Sequence, residues 1–130
     1  MSCAITTTDA VVFGEYDTHA DTASDTAGSV SYECSDVAST DRITISLGRS
    51  DNGSFFPRAM AYRGSHLEYN LFTDASRTRV WGDGAGGTAV YNVRPLDGRP
   101  VSVPIFARIP ARQAVRVGHY QDTVTITILY

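Results

Sequence analysis

DTVTITILY, residues 122–130, decides the fold. Val124, Ile126, Ile128 and Tyr130 fall on one side of an extended chain, and Thr123, Thr125 and Thr127 on the other. A period of two with apolar and polar residues alternating describes a strand with one buried and one wet face. The same period recurs upstream. Val30, Tyr32 and Cys34 alternate with Ser29, Ser31 and Glu33; Ile43, Ile45 and Leu47 with Thr44 and Ser46; Leu67, Tyr69 and Leu71 with Glu68 and Asn70. Turn residues cluster at 17–28, 35–41, 50–54, 82–87 and 96–100. Residues 18–27, THADTASDTA, read as a polar loop. Many short strands at this spacing, without a convincing helix or an internal repeat, predict an antiparallel β-sandwich.

At 130 residues the chain is expected to form one domain, spanning 1–130. Its net charge is -3, and all eleven basic residues are arginines spread along the chain. That pattern argues against a nucleic-acid groove and against a polybasic membrane patch. No apolar run approaches the length of a membrane span, so no membrane insertion is expected. The chain opens Met1-Ser2-Cys3 without a signal peptide and enters a structured-looking segment at once.

Cys3 and Cys34 offer one disulfide, although their spacing alone fits two buried thiols equally well. Cys3 shares a face with Ile5 and Thr7, and Cys34 with Val30 and Tyr32. Both point into one core if their strands are neighbours, and a bond is expected on that ground.

The stretch YNLFTDASRTRVWGDG, residues 69–84, is the candidate for ligand chemistry. Asp74-Ala75-Ser76-Arg77 lacks the alternating oxygen ligands of a calcium loop, and residues 82–87 lack the repeated Asp-bearing nonapeptide of calcium β-rolls. Asp74, Ser76 and Asp83-Gly84 are instead ordinary turn residues, so no metal is expected. His19, His66 and His119 have no partner at a metal-ligand spacing, and no serine lies in a G-x-S-x-G context. Glu15, Glu33 and Glu68 become hydrolytic carboxylates only if the fold brings two of them together. The reading is therefore of a protein without catalysis or cofactor. A sugar-binding module is the rival, with Tyr62, Trp81 and Asp83 at a loop tip; packing at the sandwich core or edge is the alternative role for Trp81.

Several blocks in order across nearly the whole chain resemble the spore coat protein U domain family, the subunits of archaic chaperone–usher pili. They are FGEYD at 13–17, Cys34, ITISLG at 43–48, RAM at 58–60 and LEYNLFTD at 67–74. VWGDG at 80–84, FARIPARQ at 106–113 and GHYQDTVTITILY at 118–130 follow. The resemblance implies an incomplete immunoglobulin-like antiparallel sandwich lacking its final strand. A periplasmic chaperone, and then a neighbouring subunit after passage through an outer-membrane usher, lends that strand. It implies a secreted structural subunit of a surface fibre or spore coat, serving adhesion or biofilm formation. Only Met1 and Ser2 precede Cys3, so the family's donor segment is expected to be absent here, either trimmed away or never present, as in the C-terminal domain of a tip adhesin.

An unfinished sandwich has a physical signature. The final strand presents a row of unpaired N–H and C=O groups at its free edge. About five unfilled inward sites at ~2 kcal/mol each cost roughly 10 kcal/mol, against about 5–15 kcal/mol for a whole domain. The isolated chain is then expected to be marginal, strand-swapped or dependent on a partner. Val124, Ile126, Ile128 and Tyr130 are assigned to the face that borders the vacancy and meets the incoming strand.

Overall fold

A computed structural model describes residues 1–13 and 16–130. Gly14 and Glu15, within the FGEYD block, lie outside the described residues, and with Glu15 goes one of the three weighed carboxylates. The fold is all-β, with eight strands among the described residues: β1 Ser2–Asp9, β2 Ser24–Ser35, β3 Ile43–Leu47, β4 Arg58–Tyr62, β5 Ser65–Phe72, β6 Tyr91–Val93, β7 Val101–Ile109 and β8 Ile126–Leu129. They form two antiparallel sheets, a five-stranded one in the order β1-β2-β7-β5-β4 and a three-stranded one in the order β6-β3-β8.

Alternation builds the core between them. Val30, Tyr32 and Cys34 of β2, Ile43, Ile45 and Leu47 of β3, Leu67, Tyr69 and Leu71 of β5, and Val103, Ile105, Ala107 and Ile109 of β7 are all buried. Cys3 lies directly opposite Cys34 in the β1–β2 ladder, and the two form a disulfide. The bond thus staples neighbouring strands of one sheet.

Two local expectations need correction. Residues 24–27 are not loop: they extend β2 and pair with β7, Ser24 opposite Ile109 and Asp25 opposite Arg108. The polar composition misleads: Asp25 faces water, where Arg108 Nε donates to it at 2.7 Å, while Ser24 and Thr26 are half-buried on the face shared with Val30 and Tyr32. That bond, with the charges of Arg108 and Arg77 beside it, holds the Asp25 carboxyl below its ordinary range. Asn70, read as a wet-face residue, is buried. Its amide donates to Phe55 O at 2.6 Å and its carbonyl accepts from Arg58 Nη1 at 2.9 Å, so its polar atoms are satisfied inside.

Candidate functional site

Both sheets end on strands with one unpaired edge on the same side of the sandwich: β1 pairs only with β2, and β8 only with β3, among the described residues. Between these edges lies a cavity of about 490 Å³. Its floor is apolar, formed by Leu47, Met60, Leu67, Tyr69, Leu71, Ile105 and Ile109. One rim is the chain at 8–13 and the other the chain at 119–124, continued by Ile126. Ile5 and Ile128, nearer the disulfide end, pack against the core and do not line the cavity. The sandwich is therefore closed towards the disulfide and open towards residues 119–124.

The second rim changes sheets as it runs. Gln121 exchanges two backbone hydrogen bonds with Ala61 of β4, at 2.9 and 3.2 Å. Four residues later Thr125 O accepts from Gly48 N at 2.9 Å, and β8 then pairs with β3, Ile126 opposite Leu47. Of the residues assigned to this face, Val124 and Ile126 are half-buried and line the cavity. Ile128 is half-buried against the core, and Tyr130 is 62 % exposed.

Asp122 sits at the crossing. Tyr69 Oη donates to its Oδ2, while the Asp51 and Thr123 amides each donate to Oδ1 at 3.0 Å. Burial, then the hydrogen bond and charge of Asp122, push the Tyr69 phenol far above its ordinary value, so it stays a donor at any physiological pH. Arg58 lies close by, fully buried, with no carboxylate in direct contact among the described residues. Its guanidinium donates to Gly48 O at 3.1 and 2.7 Å, to Trp81 O at 2.6 Å and to Asn70 Oδ1. Burial lowers its pKa to about 10, against the opposing pull of Tyr69 and Asp122. It remains a cation at neutral pH. Arg58, Tyr69, Asn70 and Asp122 all fall within the blocks that carry the family resemblance, but the contacts between them were not expected from the sequence. The available signal was an arginine and an asparagine inside otherwise apolar strand segments.

The residues weighed for sugar binding do not converge. Trp81 is fully buried, its indole N–H donates to Ile45 O at 2.9 Å, and its ring packs 6.2 Å from that of Tyr91. No face of it is free to stack on a sugar, which corrects that reading of Trp81. Tyr62 stands at the other end of the β4–β5 hairpin, opposite Ser65, whereas Trp81 N bonds Leu71 O. Roughly 20 Å of strand separates the two at about 3.4 Å per residue. Tyr62 packs instead against Tyr120, with ring centroids 5.6 Å apart. Asp83 is exposed on a turn and accepts from Ala85 N at 2.9 Å.

The remaining chemistry also resolves into turns. The carboxylate of Asp74 accepts from Ser76 Oγ, Thr78 Oγ1 and the amides of Thr78 and Arg79 at 2.5–3.2 Å. The Ser76 and Thr78 hydroxyls above all hold it far below the usual carboxylate range. No group of three or more His, Cys, Asp and Glu side chains is placed to hold a metal, among the described residues. Glu33 lies beside the start of β7 and Glu68 beyond its end, so the fold does not bring those two carboxylates together.

Two known proteins are informative beside this geometry. Protein U of Myxococcus xanthus is 33 % identical over 110 residues, covering 79 % of this chain and 59 % of its own length. The present chain thus spans a little over half of that relative. The crystal structure of the CsuC–CsuE chaperone–tip adhesion subunit pre-assembly complex, from the archaic chaperone–usher Csu pili of Acinetobacter baumannii, contains a similar fold. The TM-score is 0.60 at 18 % identity, over 99 % of this chain and 40 % of that one. The sequence profile of the Spore Coat Protein U domain matches residues 1–127, and the chain belongs to that family.

Proposed function

We propose that this domain is a structural subunit, or the pilin domain of a larger subunit, of a secreted chaperone–usher fibre or spore coat, and that it works by accepting a strand from another chain. The observation that carries this reading is the apolar groove between two unpaired edges, β1 and β8. An extended segment laid there would pair its backbone with a free edge and send alternate side chains onto the Leu47, Leu71 and Ile105 floor. Val124, Ile126 and Ile128 form the neighbouring strand's inward face, with Tyr130 at its exposed end. The sandwich is then an immunoglobulin-like fold short of one strand, completed first by a periplasmic chaperone and later, beyond an outer-membrane usher, by a neighbouring subunit. Membership of a coat and pilus family supports a surface location and a role in adhesion or biofilm without catalysis or cofactor.

The test is complementation of the purified domain. A nine- to eleven-residue peptide with apolar residues at alternate positions is expected to raise the thermal midpoint. At a hundredfold excess over Kd the gain is about 2.7 kcal/mol, roughly 10 °C for a domain of this size. A peptide of the same composition without the alternation should do little, because a strand presents only every second side chain to one face. Equal responses to both peptides, or none to either, would defeat the reading.

A further inference from the structure

We propose that Asp122 is the positioning residue of the groove: it pins the 119–124 rim across the two sheets and so keeps the groove open and ready for its strand, an inference that rests on the strand-accepting function above. Residues 110–125, between β7 and β8, contain no strand, yet they supply one whole side of the cavity. Few bonds hold the rim. The Gln121–Ala61 pair ties it to β4 and the Thr125–Gly48 bond ties it to the end of β3. Asp122 lies between these ties, and its carboxylate joins three places: Tyr69 on the groove floor, Asp51 in the β3–β4 connection and its own neighbour Thr123. A turn-capping aspartate would need only the last of these. The other two partners are 53 and 71 residues away in sequence and fix the rim to the floor of the five-stranded sheet and to the connection that joins the two sheets.

A rim that is already placed need not be ordered when the strand arrives; a loose one must be, and apparent affinity falls by the fraction of molecules in the competent arrangement. Asp122→Ala is expected to weaken binding of the alternating peptide about tenfold, mainly through slower association. Tyr69→Phe keeps the ring and removes one bond, and should give a smaller loss in the same direction. Because the two residues share that bond, the double variant should bind no worse than Asp122→Ala alone. Asp122→Asn keeps an oxygen for the two amides and should recover part of the affinity. A variant destabilised elsewhere, Trp81→Phe, should bind like the parent and so separates this role from general instability. Parental affinity and association rate in both Asp122→Ala and Tyr69→Phe would overturn the inference, as would additive losses in the double variant. If Asp122→Ala does not fold, Tyr69→Phe against Trp81→Phe decides alone: unchanged binding in Tyr69→Phe overturns the role. Failure of the parent itself to bind any peptide would instead take down the strand-accepting function, and this inference with it.

Discussion

Two isoleucines test whether the groove is open in the uncomplexed domain. Ile45 on β3 is fully buried between the sheets, whereas Ile105 on β7 is nearly as buried, at 5 % exposure, but lines the cavity. Truncating either to alanine removes the same three carbons, worth about 2.4 kcal/mol at ~0.8 kcal/mol each. The difference lies in what is left behind. At Ile45 the vacated space is enclosed, so a cavity cost adds to the transfer cost and the total should approach the ~5 kcal/mol upper end for Ile→Ala. At Ile105 the space merges with one already open, and the penalty should stay near ~2.5–3 kcal/mol. We expect urea denaturation at fixed protein concentration to separate the two by about 2 kcal/mol with unchanged m-values; Ile→Val at both sites gives the same order on a smaller scale if alanine is not tolerated. With the alternating peptide bound, the Ile105 site becomes enclosed and the gap should shrink. Equal penalties in the free domain, or a larger one at Ile105, would show that the space beside Ile105 is closed, and the argument for an accepting groove would fail with it.

Other perturbations probe the frame around the groove. Replacing Cys3 and Cys34 together by alanine opens a link between residues 31 apart in sequence, and should cost about 3–4 kcal/mol on the chain-entropy account, read from the denaturation midpoint without reductant. Trp81→Phe removes the donor to Ile45 O and one ring of a fully buried side chain, so a loss of roughly 2–3 kcal/mol is expected by thermal melting. Asp74→Asn tests a depressed carboxyl. Its contribution is fully present above the ordinary aspartate value of 3.8 and fades as pH falls below that value, so the parent–variant difference in midpoint should be largest near neutrality and should shrink steadily in acid. A difference that persists unchanged at pH 2.5 would rule out the carboxylate as its source.

How much of this was legible in the sequence depended on whether one face of a strand was wet. β3 and β5 announced themselves because Thr44, Ser46 and Glu68 break the apolar run at every second position. β7 alternates as regularly, with Val103, Ile105, Ala107 and Ile109 inward, but it carries Pro104, a residue that normally argues against a central strand. Pro104 sits opposite Ser29 but before the stretch of β7, residues 106–108, that pairs with β5, so its missing N–H breaks no bond of that second ladder. The start of β2 was hidden for the opposite reason: Ser24, Asp25 and Thr26 are strand by virtue of their β7 partners and not of their own preference. The inward face of the last strand could be read directly, but the rim before it could not. Whether 119–124 follows β4, β3 or both is set by long-range bonds such as Tyr69–Asp122, and nothing local encodes their pairing. The disulfide was legible as far as facing and number allowed; its in-sheet placement required the β1–β2 register.

The buried cation explains why the rim carries an acid at all. A hydrogen-bonding side chain at 122 could satisfy Asp51 N and Thr123 N without charge, as asparagine does at many turns. Arg58, however, is fully desolvated and its bonds go to carbonyl oxygens, which share no full negative charge with it. The Asp122 carboxylate supplies a favourable field that partly offsets that burial, seen in its opposing influence on the arginine. Arg58 in return cross-links the sandwich, from β4 to Asn70 on β5, to Gly48 just past β3 and to Trp81. A sandwich that leaves one side unpaired lacks the closure that its own backbone would give there, so side chains must span the layers elsewhere. Rim carboxylate and core guanidinium then act together: the arginine binds the two sheets together, and the acid, whose charge opposes the cost of burying it, fixes the edge of the space between them.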